Sequence, residues 1–424
     1  MAKLFRSLIA SVVIVFLFLR CGAYPQAGIE DKKLRVAVVG SNVESEDPAS
    51  SDEVSFPTNR AQGPTMWHGV RVAYEKSPRL RRVRGLIELK GFDDGGAISR
   101  AEKIAKNIIR DSHIIAIIGH ATSPSTKIAA PIYHDAGIPL LMPIATGADV
   151  PVSHGGDRFK NCFRIVPEDD RVQAPAVGLL TEWLDAERLF LVADMTRDAA
   201  GYSEPLCEAV HQFLHHRIVN TVFEIEDDDD HYSAARRMKT ERSDLVIFCG
   251  YGTTLTHLLS AMEARYQGEE VRPKVIATDG CRGEELDPKS FDVFLTFPVP
   301  PIDQCSSPEA EFVKISIGES KEEAFQVPAY DAMLMVGDAI EACRDQGRVS
   351  RACVRKHLNE LSDFPGACGA YSFQNGENVI SSYQVFEVIR PAGSDITRFE
   401  FSQSFSANDL LTYAAANRAG EVEQ

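Results

Sequence analysis

The sequence predicts an α/β protein built from two doubly wound, Rossmann-like lobes, and three observations carry that prediction. Short β-branched apolar runs alternate with amphipathic helical stretches at the spacing of parallel sheets. The alternation breaks once, at the polar segment Gly147–Lys160, and then starts again. The composition is that of a folded chain: 424 residues, 44% hydrophobic and 25% charged, long enough for two or three domains.

The first series reads strand Leu34–Val39, helix Thr65–Lys76, strand Leu86–Gly91, helix Ile98–Arg110, strand Ile114–Ile118, helix Ser125–Ala136 and strand Ile138–Met142. Helix Ile98–Arg110 sets Ala101, Ile104, Ala105, Ile108 and Ile109 on one face, a stripe that core packing explains. The second series runs Phe163–Val166, helix Val172–Leu184, Leu189–Ala193, helix Glu204–Leu214, Thr221–Glu224, helix Tyr232–Thr240, Leu245–Cys249, helix Thr253–Tyr266 and Lys274–Thr278. Strand Phe294–Phe297 and helices Ala329–Arg344 and Ser350–Glu360 follow.

At the front, Lys3 and Arg6 precede the apolar run Leu8–Leu19, then small residues and Pro25, the pattern of a secretory signal peptide over residues 1–23. Spanning a bilayer takes about 20 apolar residues, so this run is short for an anchor, which stays the alternative reading. Cys21 stands where a lipoprotein is acylated, although Arg20 precedes it where a small residue is wanted. The expected location is periplasmic or otherwise extracytoplasmic, with a tether at Cys21 left open. Export permits disulfides among Cys162, Cys207, Cys249, Cys281, Cys305, Cys343, Cys353 and Cys368. At least one is expected, its pairing undetermined; Cys207 and Cys249 read equally as buried thiols. No CxxC or His-spaced cluster occurs, so no metal and no cofactor is expected.

A net charge of −16 and a pI near 5.2 argue against nucleic acid and anionic lipid as partners, both of which select basic surfaces. Catalytic signatures are missing as well: there is no GxSxG, HExxH or P-loop. His120 near Ser123 is the nearest enzyme-like feature, and His211, His215 and His216 read as an exposed helix end. The acidic run EIEDDDDH, Glu224–His231, lacks the glycine and distal glutamate of a calcium loop and reads as a turn capping the next helix.

The most informative stretch is Gly119–Thr146, GHATSPSTKIAAPIYHDAGIPLLMPIAT. Ser123, Ser125 and Thr126 fall where a helix leaves its first N–H groups unpaired, and Ile144, Ala145 and Thr146 leave the next strand at the same sheet end, where open α/β sheets bind ligands. This stretch resembles the signature of type I periplasmic binding proteins, in particular those for branched-chain amino acids. Weaker similarity extends over Leu34–Ile389, through GFDDGGAISRAEKIAKNIIRD, VPAYDAMLMVGDAIEA and GAYSFQNGE.

The resemblance implies three hinge crossings, with a first lobe over 33–163, a second over 164–302, returns over 303–365 and 366–390 and a polar tail over 391–424 that wraps the surface or frays. It also implies site residues. Ser123 and Thr146 would donate to a ligand carboxylate, with the Ile144 carbonyl accepting from an ammonium and Ala145 between them. Asp279, after strand Lys274–Thr278, would be the counter-charge to that ammonium. Tyr202 and Tyr251 would supply aromatic contacts and Gln62 a lid contact after the long acidic loop Ser41–Gln62. The alternatives are structural: Ser123 as a cap, Thr146 as a strand end, Asp279 as a turn aspartate, Tyr202 as core. Tyr330 is expected to pack on the sheet and Asp331 to stabilise a helix start. The functional expectation is a solute-binding protein of an ABC importer, a monomer or weak dimer that closes on an amino acid or related small ligand and docks on a membrane permease. A sensory module of the same fold is the alternative, and a hydrolase ranks below it.

Overall fold

The structure, a computed structural model, describes residues 33–41, 43, 62–153, 155–197, 199–219, 222–283, 286–317, 325–379, 382–394 and 397–422. The leader, Cys21 and nearly all of the Ser41–Gln62 loop lie outside the described residues.

Five parallel strands build the first sheet: β1 (Leu34–Gly40), β2 (Ile87–Asp93), β3 (Ile114–Gly119), β4 (Leu140–Met142) and β5 (Cys162–Arg164). Five more build the second: β6 (Leu189–Asp194), β7 (Phe223–Ile225), β8 (Leu245–Cys249), β9 (Lys274–Ala277) and β10 (Val293–Phe297). Central strands such as β3, IIAIIG, and β8, LVIFC, are buried at every residue. Helices cover both faces of such a sheet, so an uninterrupted apolar run belongs there where an alternating one would not.

Two short strands, β11 (Phe364–Pro365) and β12 (Ala370–Tyr371), pair with each other. The chain then adds β13 (Phe373–Gln374) and β14 (Glu377–Asn378) to the edge of the first sheet, giving the order β13-β14-β5-β4-β3-β1-β2. Long antiparallel strands β15 (Ser382–Ile389) and β16 (Arg398–Ser406) complete the second, in the order β16-β15-β10-β9-β8-β6-β7.

Two expectations need correcting. The last passage between the sheets falls between Asn378 and Ser382, whereas the return expected over 366–390 would place it at residue 366; β14 pairs with β5 at Arg164 and so holds the preceding residues in the first lobe. The tail does not merely wrap or fray: β16 pairs along the whole of β15, and helix Ala407–Val422 packs on helix Ala174–Trp183. An added Cβ at Gly178 would meet Tyr413 at 2.4 Å. Phe399, Phe401 and Phe405, spaced among polar residues, hold the β16 register against the core.

Cys305 pairs with Cys368 and Cys343 with Cys353, both in the region that returns to the first lobe, while Cys162, Cys207, Cys249 and Cys281 are buried thiols. Tyr330 is fully buried and donates to Glu309, 2.9 Å away. Asp331 does not serve the helix start. Its helix begins at Gln326, and the carboxylate instead accepts from the Ala367 N–H at 3.0 Å and the Tyr371 hydroxyl at 2.8 Å, pinning the segment that precedes the last crossing. The acidic run does cap its helix: Asp227 and Asp230 form a reciprocal capping box.

Helices Gln62–Lys76 and Gln326–Asp345 approach so closely that a Cβ on Gly69 would lie 2.2 Å from the Gln326 carbonyl oxygen. Gly69→Ala is therefore expected to destabilise by about 1–3 kcal/mol, the usual cost of overpacking, read as a lower urea midpoint at unchanged slope. Burial pushes the Asp331 carboxyl up to about 7. Its unfolded counterpart ionises near ~4, so the folded state holds the proton more tightly, and that stabilisation is lost as pH rises through 7. Compared with wild type, Asp331→Asn should gain in melting temperature on going from pH 5 to pH 8; an unchanged difference would show that Asp331 is already ionised at pH 5.

Candidate functional site

The site begins where β3 ends. Thr122, in extended conformation, is the cap of helix Ser123–Asp135 and accepts from the Ser125 N–H at 3.4 Å. Ser123 is thereby relieved of capping, and its Oγ reaches across to accept from the Gly147 N–H at 3.1 Å. That contact ties the helix start to the loop that follows Ile144, Ala145 and Thr146, all three at most 4% exposed. His120 takes no part: it is fully buried, its Nδ1 2.6 Å from Asp94 and its Nε2 3.1 Å from the Tyr133 hydroxyl. Both ring nitrogens are occupied by partners other than Ser123, so no nucleophile–base pair exists there.

From the second lobe, Asp279 follows β9 in a tight turn and is 3% exposed. The Tyr202 hydroxyl, in the first turn of helix Ala200–Leu214, donates to Asp279 Oδ1 at 2.5 Å and accepts from the Gly280 N–H at 3.1 Å. The Tyr251 ring stacks on Tyr202, centroids 5.4 Å apart and planes 15° from parallel. Gly280 has to be glycine for this packing, because a Cβ would sit 2.8 Å from the Tyr202 ring. Asp279 is thus no surface turn residue, nor is Tyr202 only core.

Asp169 joins the two halves, and sequence reasoning missed it. It sits where the first crossing turns into the helix that covers the second sheet, its N–H donating to the Thr146 carbonyl at 3.1 Å and its carboxylate accepting from the Thr146 hydroxyl. The only signal was PEDD after the Cys162–Arg164 strand, which reads as a charged loop because Glu168 and Asp170 flank the inward residue. Gln173, Thr296 and Tyr383, also missed, complete the floor: Gln173 bonds Asp279 and lies 3.5 Å from the Thr296 hydroxyl. Burial and the neighbouring Asp279 raise the Asp169 carboxyl well above its usual range, and burial raises that of Asp279 against the opposing Tyr202 bond. Asp169 Oδ1, Gln173 Oε1, the Tyr383 hydroxyl and Ser125 Oγ are buried without a protein partner. Such atoms mark where a polar ligand or water would be bound.

The lobes meet over this site. A Cβ on Gly201 would lie 3.2 Å from Pro124, so the first turns of helices Ser123–Asp135 and Ala200–Leu214 touch across the cleft. The described structure thus brings together Ser123, Ile144, Ala145, Thr146, Tyr202, Tyr251 and Asp279. Gln62 opens helix Gln62–Lys76, and its side chain lies outside the described residues. Among the described residues no group of three His, Cys, Asp or Glu side chains is arranged to hold a metal, and no helix is long and apolar enough to cross a membrane.

The sequence matches the family model for periplasmic binding proteins over residues 57–394. The chain belongs to the periplasmic binding protein family. It is 27% identical over 220 residues to a Leu/Ile/Val/Thr-binding protein of Salmonella typhimurium, covering 49% of this chain and 58% of that protein. It is 25% identical over 295 residues to a leucine-, isoleucine-, valine-, threonine- and alanine-binding protein of Pseudomonas aeruginosa, covering 64% and 72%. The first of these alignments spans less than three fifths of the relative's length. The fold of this binding protein matches a leucine-binding protein from Thermotoga maritima with a TM-score of 0.69 at 21% identity, over 89% of this chain and 99% of that one. Family and neighbours are solute-binding proteins and not enzymes.

Two buried acids side by side hold at least one proton as the pH falls, and a cationic group entering between them displaces it. Affinity for an ammonium-bearing ligand should therefore rise with pH, by up to about tenfold per unit while one proton is released, and calorimetry in buffers of different ionisation enthalpy should register that proton. Binding that is flat between pH 5 and 8 would show both carboxylates ionised before the ligand arrives.

Proposed function

We propose that this protein is an extracytoplasmic solute-binding protein of an ABC importer, which captures an amino acid or related small ligand between its lobes and presents the closed form to a membrane permease. The observation that carries this reading is the facing of two groups across one buried crevice: hydroxyls and a helix start from the first lobe, and the acids Asp169 and Asp279 from the crossing and the second lobe.

A zwitterion satisfies both. Its carboxylate takes hydrogen bonds from Ser123, whose Oγ accepts from Gly147 and keeps its own proton to donate, and from the backbone N–H of Thr146, whose hydroxyl is engaged by Asp169. Its ammonium lies against Asp169 and Asp279 and the Ile144 carbonyl, where desolvating an unpaired charge would otherwise cost several kcal/mol. The stacked Tyr202 and Tyr251 rings offer apolar area beside it. Relatives named for leucine, isoleucine, valine, threonine and alanine favour an aliphatic amino acid. Closure follows from the same geometry: neither half alone pairs both ends of the ligand, so the ligand favours the conformer in which the halves meet, and a permease can tell that conformer from the empty one.

Titration calorimetry against an amino-acid panel tests the reading. Thr146→Ala, Asp279→Ala and Asp169→Asn should each weaken binding tenfold or more, about 1.4 kcal/mol or above. Asp169→Asn should do so while leaving the melting temperature of the ligand-free protein unchanged or higher, because it removes a buried charge. Wild-type affinity in all three variants would sink the proposed pocket.

A further inference from the structure

Once the carboxylate and ammonium of the proposed ligand are seated, two polar atoms on the second-lobe side of the floor are left without a role. Gln173 ends the turn that leads into helix Ala174–Trp183, and Tyr383 stands on β15; each is 1% exposed. Among the described residues neither Gln173 Oε1 nor the Tyr383 hydroxyl has a hydrogen-bond partner. β15 runs antiparallel to β10 with Val385 opposite Thr296, so Tyr383, two residues earlier, shares the face of Thr296 and lies just past the end of β10. Asp279 follows β9 at the same sheet edge, the one at which open α/β sheets bind ligands. Resting on the amino-acid reading of the cleft, we propose that Gln173 and Tyr383 form a subsite for a hydroxyl on the ligand's β-carbon, which selects hydroxylated aliphatic amino acids, of the serine and threonine kind, over their hydrocarbon counterparts.

The neighbours of Gln173 fix which way its amide faces. The Thr296 hydroxyl donates to the Ala277 carbonyl at 3.3 Å, so it has only lone pairs to offer Gln173 Nε2, 3.5 Å away. The Asp279 carboxylate likewise accepts from Gln173. Both Nε2 protons are thereby spent, and Oε1, which can only accept, is left for the ligand. Tyr383 is the complement: burial and the charges of Asp279 and Asp169 hold its phenol well above the usual range, so it keeps a proton to donate.

An acceptor and a donor near Asp279 ask for a group that donates and accepts through one atom, and a hydroxyl is that group. An ammonium only donates, a methyl does neither, and a carboxamide needs two atoms for the same pair of bonds. A ligand without the hydroxyl buries Gln173 Oε1 and the Tyr383 hydroxyl unpaired, which is costlier than the bonds are worth when made. The covalent frame sets the position. Asp279 holds the ammonium, Gln173 bonds Asp279 through Nε2, and Oε1 shares a carbon with that nitrogen, so the group it meets lies close to the ammonium, on the β-carbon and not at the end of a long side chain.

Titration calorimetry on the full chain compares L-threonine with L-valine, which differ by a hydroxyl in place of a methyl of similar size, and L-serine with L-alanine. Threonine should bind about tenfold or more tightly than valine, and serine than alanine, because a site built around a hydroxyl penalises the analogue that lacks it. Tyr383→Phe and Gln173→Leu should each bring the threonine-to-valine ratio to within about threefold, whatever happens to absolute affinity, whereas Ser123→Ala should weaken both ligands and leave the ratio as in wild type. Lost packing lowers both affinities together, so the ratio separates recognition from a structural role. Valine or asparagine binding as tightly as threonine, alanine as tightly as serine, or a ratio kept in either variant would overturn the subsite, with water as the partner of both atoms, and leave the amino-acid reading in place. Failure of every amino acid to bind would overturn both.

Discussion

Two carboxylates, Asp169 and Asp279, are buried within each other's field, and the rest of the site is arranged around that constraint. Removing even one charge from water costs several kcal/mol unless it is paired or protonated. The protein offsets part of the cost with neutral donors, the Tyr202 hydroxyl and Gln173 toward Asp279 and the Thr146 hydroxyl toward Asp169, and with the positive charge of Arg164 acting on Asp169. The offset is incomplete, since Asp169 Oδ1 keeps no partner. A fold that retains such a pair forgoes stability, which the ammonium of the proposed ligand would restore. Binding affinity and the instability of the ligand-free site thus share one origin.

The same constraint explains how the hinge and the site are joined. Arg164 is fully buried, its guanidinium donating to the Thr146 carbonyl and lying 3.2 Å from Glu377 on the strand just before the last crossing. One side chain therefore connects the first crossing, the loop that carries Thr146 and the approach to the third. Asp331 makes a parallel connection, from the long Gln326–Asp345 helix to Ala367 and Tyr371.

The sheets were legible because parallel strands buried on both faces write themselves as apolar runs, and LRVAVVG, IIAIIG and LVIFC have no other natural reading. Thr146 and Asp279 were legible for a related reason: polar residues directly after such runs lie at the sheet's ligand-binding edge. Asp169 was not, because the turn that aims it inward is set by tertiary contacts, its N–H on the Thr146 carbonyl, and no local pattern separates it from Glu168 and Asp170. Capping was misread by one residue for a similar cause. Thr122, Ser123 and Ser125 are chemically alike, and only the extended backbone of Thr122 decides which of them caps. The tail escaped because β16 alternates polar and aromatic residues, an edge-strand pattern whose partner β15 lies in the segment just before it.

That edge strand has a consequence for the domain's integrity. Without β16, β15 would end the second sheet with a long open edge, an invitation to pair with other chains. With β16 in place, Phe386 packs on Phe401, and Arg282 lies 4.6–4.7 Å from the rings of Phe297, Phe386 and Phe399. The guanidinium is thus held among aromatic faces where β10, β15 and β16 run side by side. The crossing from β10 leaves from this block, so the rigidity of the second lobe next to the hinge depends on residues beyond the last crossing. Any motion between the lobes would then concentrate at the crossings themselves, as the proposed closure of the cleft requires.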